Sequence, residues 1–111
     1  MAPTPSTADV FNAVAEARRR DILDALHDGE AAVGELVDRL HLPQPQVSKH
    51  LKVLRDVDLV RLRTVGRHHL YRINGAALRP LHDWVGGFEQ FWNDRYDRLD
   101  DVIVELQQEN D

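Results

Sequence analysis

The segment Gln44-Pro45-Gln46-Val47-Ser48-Lys49-His50-Leu51-Lys52-Val53-Leu54-Arg55 sets Val47, Leu51 and Leu54 four and three residues apart. That spacing draws a narrow apolar stripe down one face of an α-helix over about residues 44–56. Pro45 suits the first helical position, where its missing N–H has no partner to lose, which makes Gln44 the cap. The remaining positions are polar or basic, and both lysines of the chain, Lys49 and Lys52, fall in this helix. Upstream, His41-Leu42-Pro43 is a short turn, and a helix over roughly Val33–Leu40 buries Leu36, Val37 and Leu40. Glu35 stands where a capping box needs its reciprocal acid. The cap position is Ala32, so the box is incomplete, at a cost of about 1 kcal/mol. Downstream of Asp58 the period changes from 3.6 to 2. Val60 and Leu62 alternate with Arg61 and Arg63, then Tyr71 and Ile73 with Arg72. A two-residue type II′ loop at Gly66-Arg67 pairs Leu62 with Tyr71 and Val60 with Ile73 on one face, which predicts a hairpin over about 60–73.

Towards the N-terminus, Ser6 or Thr7 is expected to cap a first helix that puts Val10, Phe11 and Val14 on one face. A second helix from about Ala17 to Asp28 turns Ile22, Leu23 and Leu26 inward and stops at Gly29. Its opening triplet Arg18-Arg19-Arg20 opposes the helix dipole. An ion pair or a solvated surface accounts for the triplet better than phosphate does. Beyond Asn74, a predicted cap, a helix runs through Leu78 and Leu81 towards Trp84, and Gly86-Gly87 bends or breaks it. The last segment spaces Phe88, Phe91, Trp92, Leu99, Val102, Ile103 and Leu106 by threes and fours. With Trp84 this stripe is too apolar for so small a domain to cover, and a partner surface is its simplest destination.

The chain has 111 residues, a net charge of −5 and no cysteine. It is read as one domain over 8–111 behind a disordered tail over 1–7. Absence of cysteine excludes disulfides, thiolate metal sites and thiol redox sensing. No apolar run suits a membrane span and no secretory signal is visible, so no membrane partner and a cytoplasmic location are expected. The acidic average hides segregation. Residues 44–72 carry seven bases against Asp56 and Asp58, whereas residues 1–43 carry eight acids to four bases and residues 73–111 nine acids to three. A basic centre between acidic ends suits a protein with one face on nucleic acid.

The order helix, helix, helix–turn–helix, hairpin, helix resembles the winged helix–turn–helix of the ArsR/SmtB family of bacterial repressors. Val33-Gly34-Glu35-Leu36, the string Gln46 to Arg55, Leu59-Val60, and Gly66-Arg67 with Tyr71 carry the likeness, over about residues 10 to 75. Phe91-Trp92 to Leu99 looks like the cysteine-free subgroup with a long final helix. His41 and Asp58 replace glycines usual in the family, at sites needing positive φ that His and Asp tolerate. Ala17 replaces a more usual proline.

The resemblance implies a mainly α fold with a small β-hairpin (α+β), dimerising through terminal helices over about 75–109. It implies a repressor that binds an inverted-repeat operator in double-stranded DNA as a homodimer, with no cofactor and an effector left unknown. Gln44, Gln46, Ser48, Lys49 and Lys52 are then the groove-facing set, and Arg67 the wing-tip contact, supported by Arg63 and His68. His50 is read as a half-buried packing and hydrogen-bonding residue rather than a base contact. Val10, Phe11, Val14, Trp84, Phe88, Phe91, Trp92, Leu99, Ile103 and Leu106 form the dimer face. The family includes metal sensors, but His82-Asp83 are about 100° apart on a helix and no His pair follows in the last helix, so no metal site is assigned. Asp94, Asp97, Asp101 and Glu105 suit weak binding of a hard cation, and a solvated acidic face explains them equally well. The alternatives are a metal-responsive repressor with a His/carboxylate site and, more remotely, a winged helix used only for protein interaction. No phosphate loop or nucleophile motif supports an enzyme.

Overall fold

A computed structural model describes residues 9–92, 103 and 105–108. The tail over 1–7 and Leu99 lie outside them. The described chain runs α1 (Val10–Ala15), α2 (Ala17–Ala25), α3 (Val33–Leu40), α4 (Gln44–Asp56), β1 (Val60–Val65), β2 (His68–Ile73), a 3-10 turn (Gly75–Leu78) and α5 (Arg79–Gly86). It divides into two compact units, Met1–Pro80 and Leu81–Asp111.

In the first unit Ile22, Leu36, Val47, Leu51, Leu54, Leu59 and Val60 are fully buried. They come from α2, α3, α4 and the start of β1, so the stripe of α4 is the floor on which the helix–turn–helix and hairpin close. Val37 and Leu40, expected inside, are only partly buried at the edge of this core.

Local chemistry explains most boundaries. The first helix starts later than expected: Asp9, not Ser6 or Thr7, is its cap, with Oδ1 accepting from Asn12 N at 2.7 Å. The second ends at Ala25, short of Asp28, and the chain turns away through Gly29 at φ 144. At α3 the box is half built, because Glu35 Oε1 accepts from Ala32 N (3.4 Å) while Ala32 has no side-chain acceptor to return the bond. α4 begins one residue early, with Pro43 as cap and Pro45 in the first turn rather than at its first position. Boundary shifts of one residue are ordinary.

His41 ends α3 at φ 54 and Asp58 follows α4 at φ 62, so both hold the left-handed backbone expected of them. The hairpin has the predicted register, with Val60 opposite Ile73, Leu62 opposite Tyr71 and Val65 opposite His68. Gly66 alone of the two loop residues has positive φ (61), as a type II′ turn requires. A backbone bridge between Ala31 and Tyr71 fastens β2 to the segment before α3.

The arginine triplet has a structural role. Arg19 Nε donates to Ala13 O (2.6 Å), and Arg20 Nη1 donates to Val14 O (2.7 Å) and Ala15 O (3.0 Å). Two side chains from α2 thus satisfy the carbonyls orphaned at the end of α1. Arg18 pairs with Asp21.

In the second unit α5 stops at Gly86, and residues 89–92 are helical beyond a turn at 87–88. Trp84 and Phe88 stack edge to face with centroids 5.2 Å apart. Trp84, Phe88, Phe91, Trp92, Ile103 and Leu106 are all exposed.

Candidate nucleic-acid interface

With Val47, Leu51 and Leu54 turned into the core, the opposite face of α4 is solvent-facing, and Gln44, Gln46, Ser48, Lys49 and Lys52 are all exposed. Arg67 and His68 are exposed at the hairpin tip. The structure therefore presents a polar helix face and a cationic loop on the surface of one unit.

Partners separate the seven bases of the central segment. Lys52 lies 3.6 Å from Asp56 in an exposed i,i+4 pair, which holds it only weakly. Arg61 is gripped by Asp58, and Arg63 by Glu30 through two bonds of 3.0 and 2.8 Å. The side chains of Lys49, Arg55, Arg67 and Arg72 make no ion pair or hydrogen bond with any described residue. An unpaired exposed cation loses no protein contact when it meets a phosphate, and a gripped one does. Composition alone did not separate Arg63 from Arg67, because Glu30 is 33 residues from Arg63 in sequence.

His50 is half-buried, and its Nδ1 is buried without a hydrogen-bond partner. Burial, then the neighbouring Arg19, holds its imidazole below the usual histidine range, with Glu16 opposing and Lys49 and Arg18 reinforcing. A ring kept neutral beside the core suits packing. Asp58 has the opposite character: its bonds from Arg61, and further from Asn74, hold its carboxyl below the usual carboxylate range. Asn74, expected as a helix cap, uses its side chain on Asp58 instead, and a 3-10 turn follows it.

His82 Nδ1 lies 3.3 Å from Asp83 Oδ1. Among the described residues no three His, Cys, Asp or Glu side chains gather as a metal-binding group. Asp94, Asp97 and Asp101 lie outside the described residues. No helix among those described is long and apolar enough to cross a membrane.

The pattern of the family described as "Bacterial regulatory protein, arsR family" matches residues 16–61, from α2 to the start of the hairpin. The HTH-type transcriptional regulator Rv2034 of Mycobacterium tuberculosis (strain ATCC 25618 / H37Rv) is 37% identical over 82 residues, covering 74% of each chain. The chain belongs to the arsR family. Similarity to the transcriptional repressor SdpR of Bacillus subtilis (strain 168) is 28% over 80 residues, which is 72% of this chain and 89% of that one. Among solved structures, the homodimeric winged helix-turn-helix DNA-binding domain Mb0332 (fragment 1–100) of Mycobacterium bovis superposes with a TM-score of 0.61. It is 30% identical and covers 81% of this chain and 91% of its own. This arsR-family chain is accordingly a DNA-binding transcription regulator with a winged helix-turn-helix, and not an enzyme.

Proposed function

We propose that this arsR-family chain is a cytoplasmic repressor that binds an inverted-repeat operator as a homodimer, without a thiolate metal site. The observation that carries the reading is the exposed face of α4, with Gln44, Gln46, Ser48 and Lys49 projecting from a helix whose other side is locked into the core. In the major groove a glutamine amide matches adenine N6 and N7, and a lysine matches guanine O6 and N7 or a phosphate. Lys52, near the C-terminal end of this face, suits the backbone. At the hairpin tip Arg67 meets the minor groove or its phosphates with His68 beside it, while Arg63, gripped by Glu30, supports the hairpin from its base.

Dimerisation through the exposed apolar residues Trp84, Phe88, Phe91, Trp92, Ile103 and Leu106, with Leu99 of the same sequence stripe, makes one patch its own partner. In the first unit Phe11 is exposed on α1 and is the residue of that helix best placed to add to a dimer contact, whereas Val10 and Val14 are partly buried against their own core. The homodimeric state of the Mycobacterium bovis relative supports this assembly.

Lys49→Ala and Gln46→Ala test the recognition helix. Each is expected to weaken operator binding by about 1–3 kcal/mol and leave folding intact, because both side chains are exposed. Fluorescence anisotropy at fixed salt measures it, and unchanged affinity in both variants removes the assignment. Metal dependence separates this reading from a metal-responsive one. Operator affinity is expected to be the same in excess chelator as in added zinc, and a change of about tenfold, equivalent to about 1.4 kcal/mol, would reverse that conclusion.

A further inference from the structure

Arg61 and Arg63 project from the same outer face of β1, and a different part of the helix–turn–helix body holds each. Glu30, ahead of α3, accepts from Arg63 Nε and Nη2 at 3.0 and 2.8 Å. Asp58, just past α4, accepts from Arg61 Nε and Nη2 at 3.2 and 3.0 Å. Asp58 also reaches the residue that follows β2, because Asn74 Nδ2 donates to its Oδ2 (3.1 Å) and to its carbonyl (2.9 Å). Backbone bonds already fix the base of the hairpin, with Tyr71 N on Ala31 O at 2.8 Å and Asn74 N on Leu59 O at 2.8 Å. Those bonds hold the ribbon only as far as the Leu62–Tyr71 pair, and beyond it a two-stranded ribbon has little stiffness of its own and twists readily. Two fork-to-fork pairs on the outer face resist that twist, since parallel bonds between planar groups fix orientation as well as distance. A glycine would satisfy the positive φ at position 58; the carboxylate adds the clasp.

We propose that Glu30 and Asp58 are positioning residues for DNA binding, holding the hairpin at a set angle to α4 so that Arg67 reaches DNA when the recognition helix does. The inference rests on the reading of Arg67 as a DNA contact. Its physical basis is effective concentration: a second contact tied rigidly to a first one binds nearly without further ordering. The pairs are exposed, so their effect falls on orientation more than on stability.

The test combines E30Q and D58N, which keep side-chain size, remove both charges and leave at position 58 a residue that tolerates positive φ. Operator affinity at fixed salt is compared for wild type, Arg67→Ala, E30Q/D58N and the triple variant. Arg67→Ala is expected to cost about tenfold in the wild-type background, as for a lost charge-assisted contact. In the E30Q/D58N background it is expected to cost under about twofold, because the tip no longer arrives in register. Equal losses in the two backgrounds overturn the proposal. So does tighter binding by E30Q/D58N with a steeper salt dependence, which would mean that the carboxylates compete with DNA for Arg61 and Arg63. A second measurement needs no DNA: residual dipolar couplings of the Thr64, Val65 and His69 amides should change in E30Q/D58N while those of α4 do not. Unchanged hairpin couplings overturn the clasp. If Arg67→Ala is silent in the wild type, the reading of the tip fails, and the couplings still decide the role of Glu30 and Asp58.

Discussion

Deletion of residues 88–111 is expected to give a monomer or an aggregating chain whose operator affinity falls by about 10²–10⁴-fold, more than any single base contact supplies. Trp92 and Phe91 are 46% and 68% exposed, an apolar surface that water tolerates poorly unless a partner covers it. The deletion removes both, along with Phe88, Leu99, Ile103 and Leu106. A two-fold dimer offers two copies of α4 to two half-sites about one or two helical turns apart. Once one copy binds, the other is already near its half-site. A monomer loses that second event entirely, while each base contact it can still make is unchanged. Sedimentation equilibrium on the full chain is the direct check. A full-length monomer at micromolar concentration that still binds operator tightly would remove the dimer from the account.

Leu51→Ala is expected to destabilise the fold by about 2–5 kcal/mol, the range for emptying a well-packed leucine site. Leu51 is 1% exposed at the middle of the α4 stripe, between Val47 and Leu54, both at 0%. Helices α2 and α3 pack on the same cluster, so the cavity has rigid walls and little scope to collapse. Because α4 is also the proposed recognition helix, the loss should reach DNA binding through the folded fraction rather than through a contact. Denaturant unfolding at fixed protein concentration measures it, since a dimer's midpoint depends on concentration. A loss under about 1 kcal/mol would show that the stripe is not the floor of the core.

The backbone plan of this protein was legible in its sequence wherever periodicity and turn chemistry act locally. Val47, Leu51 and Leu54 face inward because an α-helix brings spacings of three and four onto one side. The hairpin register followed from two constraints that agree: a two-residue loop at Gly66-Arg67, and apolar residues that coincide on one face only in that pairing. His41 and Asp58 were expected at positive φ from the resemblance, and the backbone places them there. Cap positions shifted: Asp9 serves where Ser6 or Thr7 was expected, and α4 starts one residue early, which puts Pro43 at the cap position with no side-chain bond.

Tertiary structure alone decided what the long polar side chains do. Arg19 and Arg20 close the end of α1, Arg63 goes to Glu30, and Asn74 turns from capping to Asp58. Lys49 and Arg67 are left exposed, with no side-chain partner among the described residues, on the face proposed to meet DNA. Periodicity reports which side of an element is buried, because burial acts on every residue of a stripe at once. It carries no information about the partner of a guanidinium on a flexible stem, which is chosen by whatever carbonyl or carboxylate the fold brings within about 3 Å.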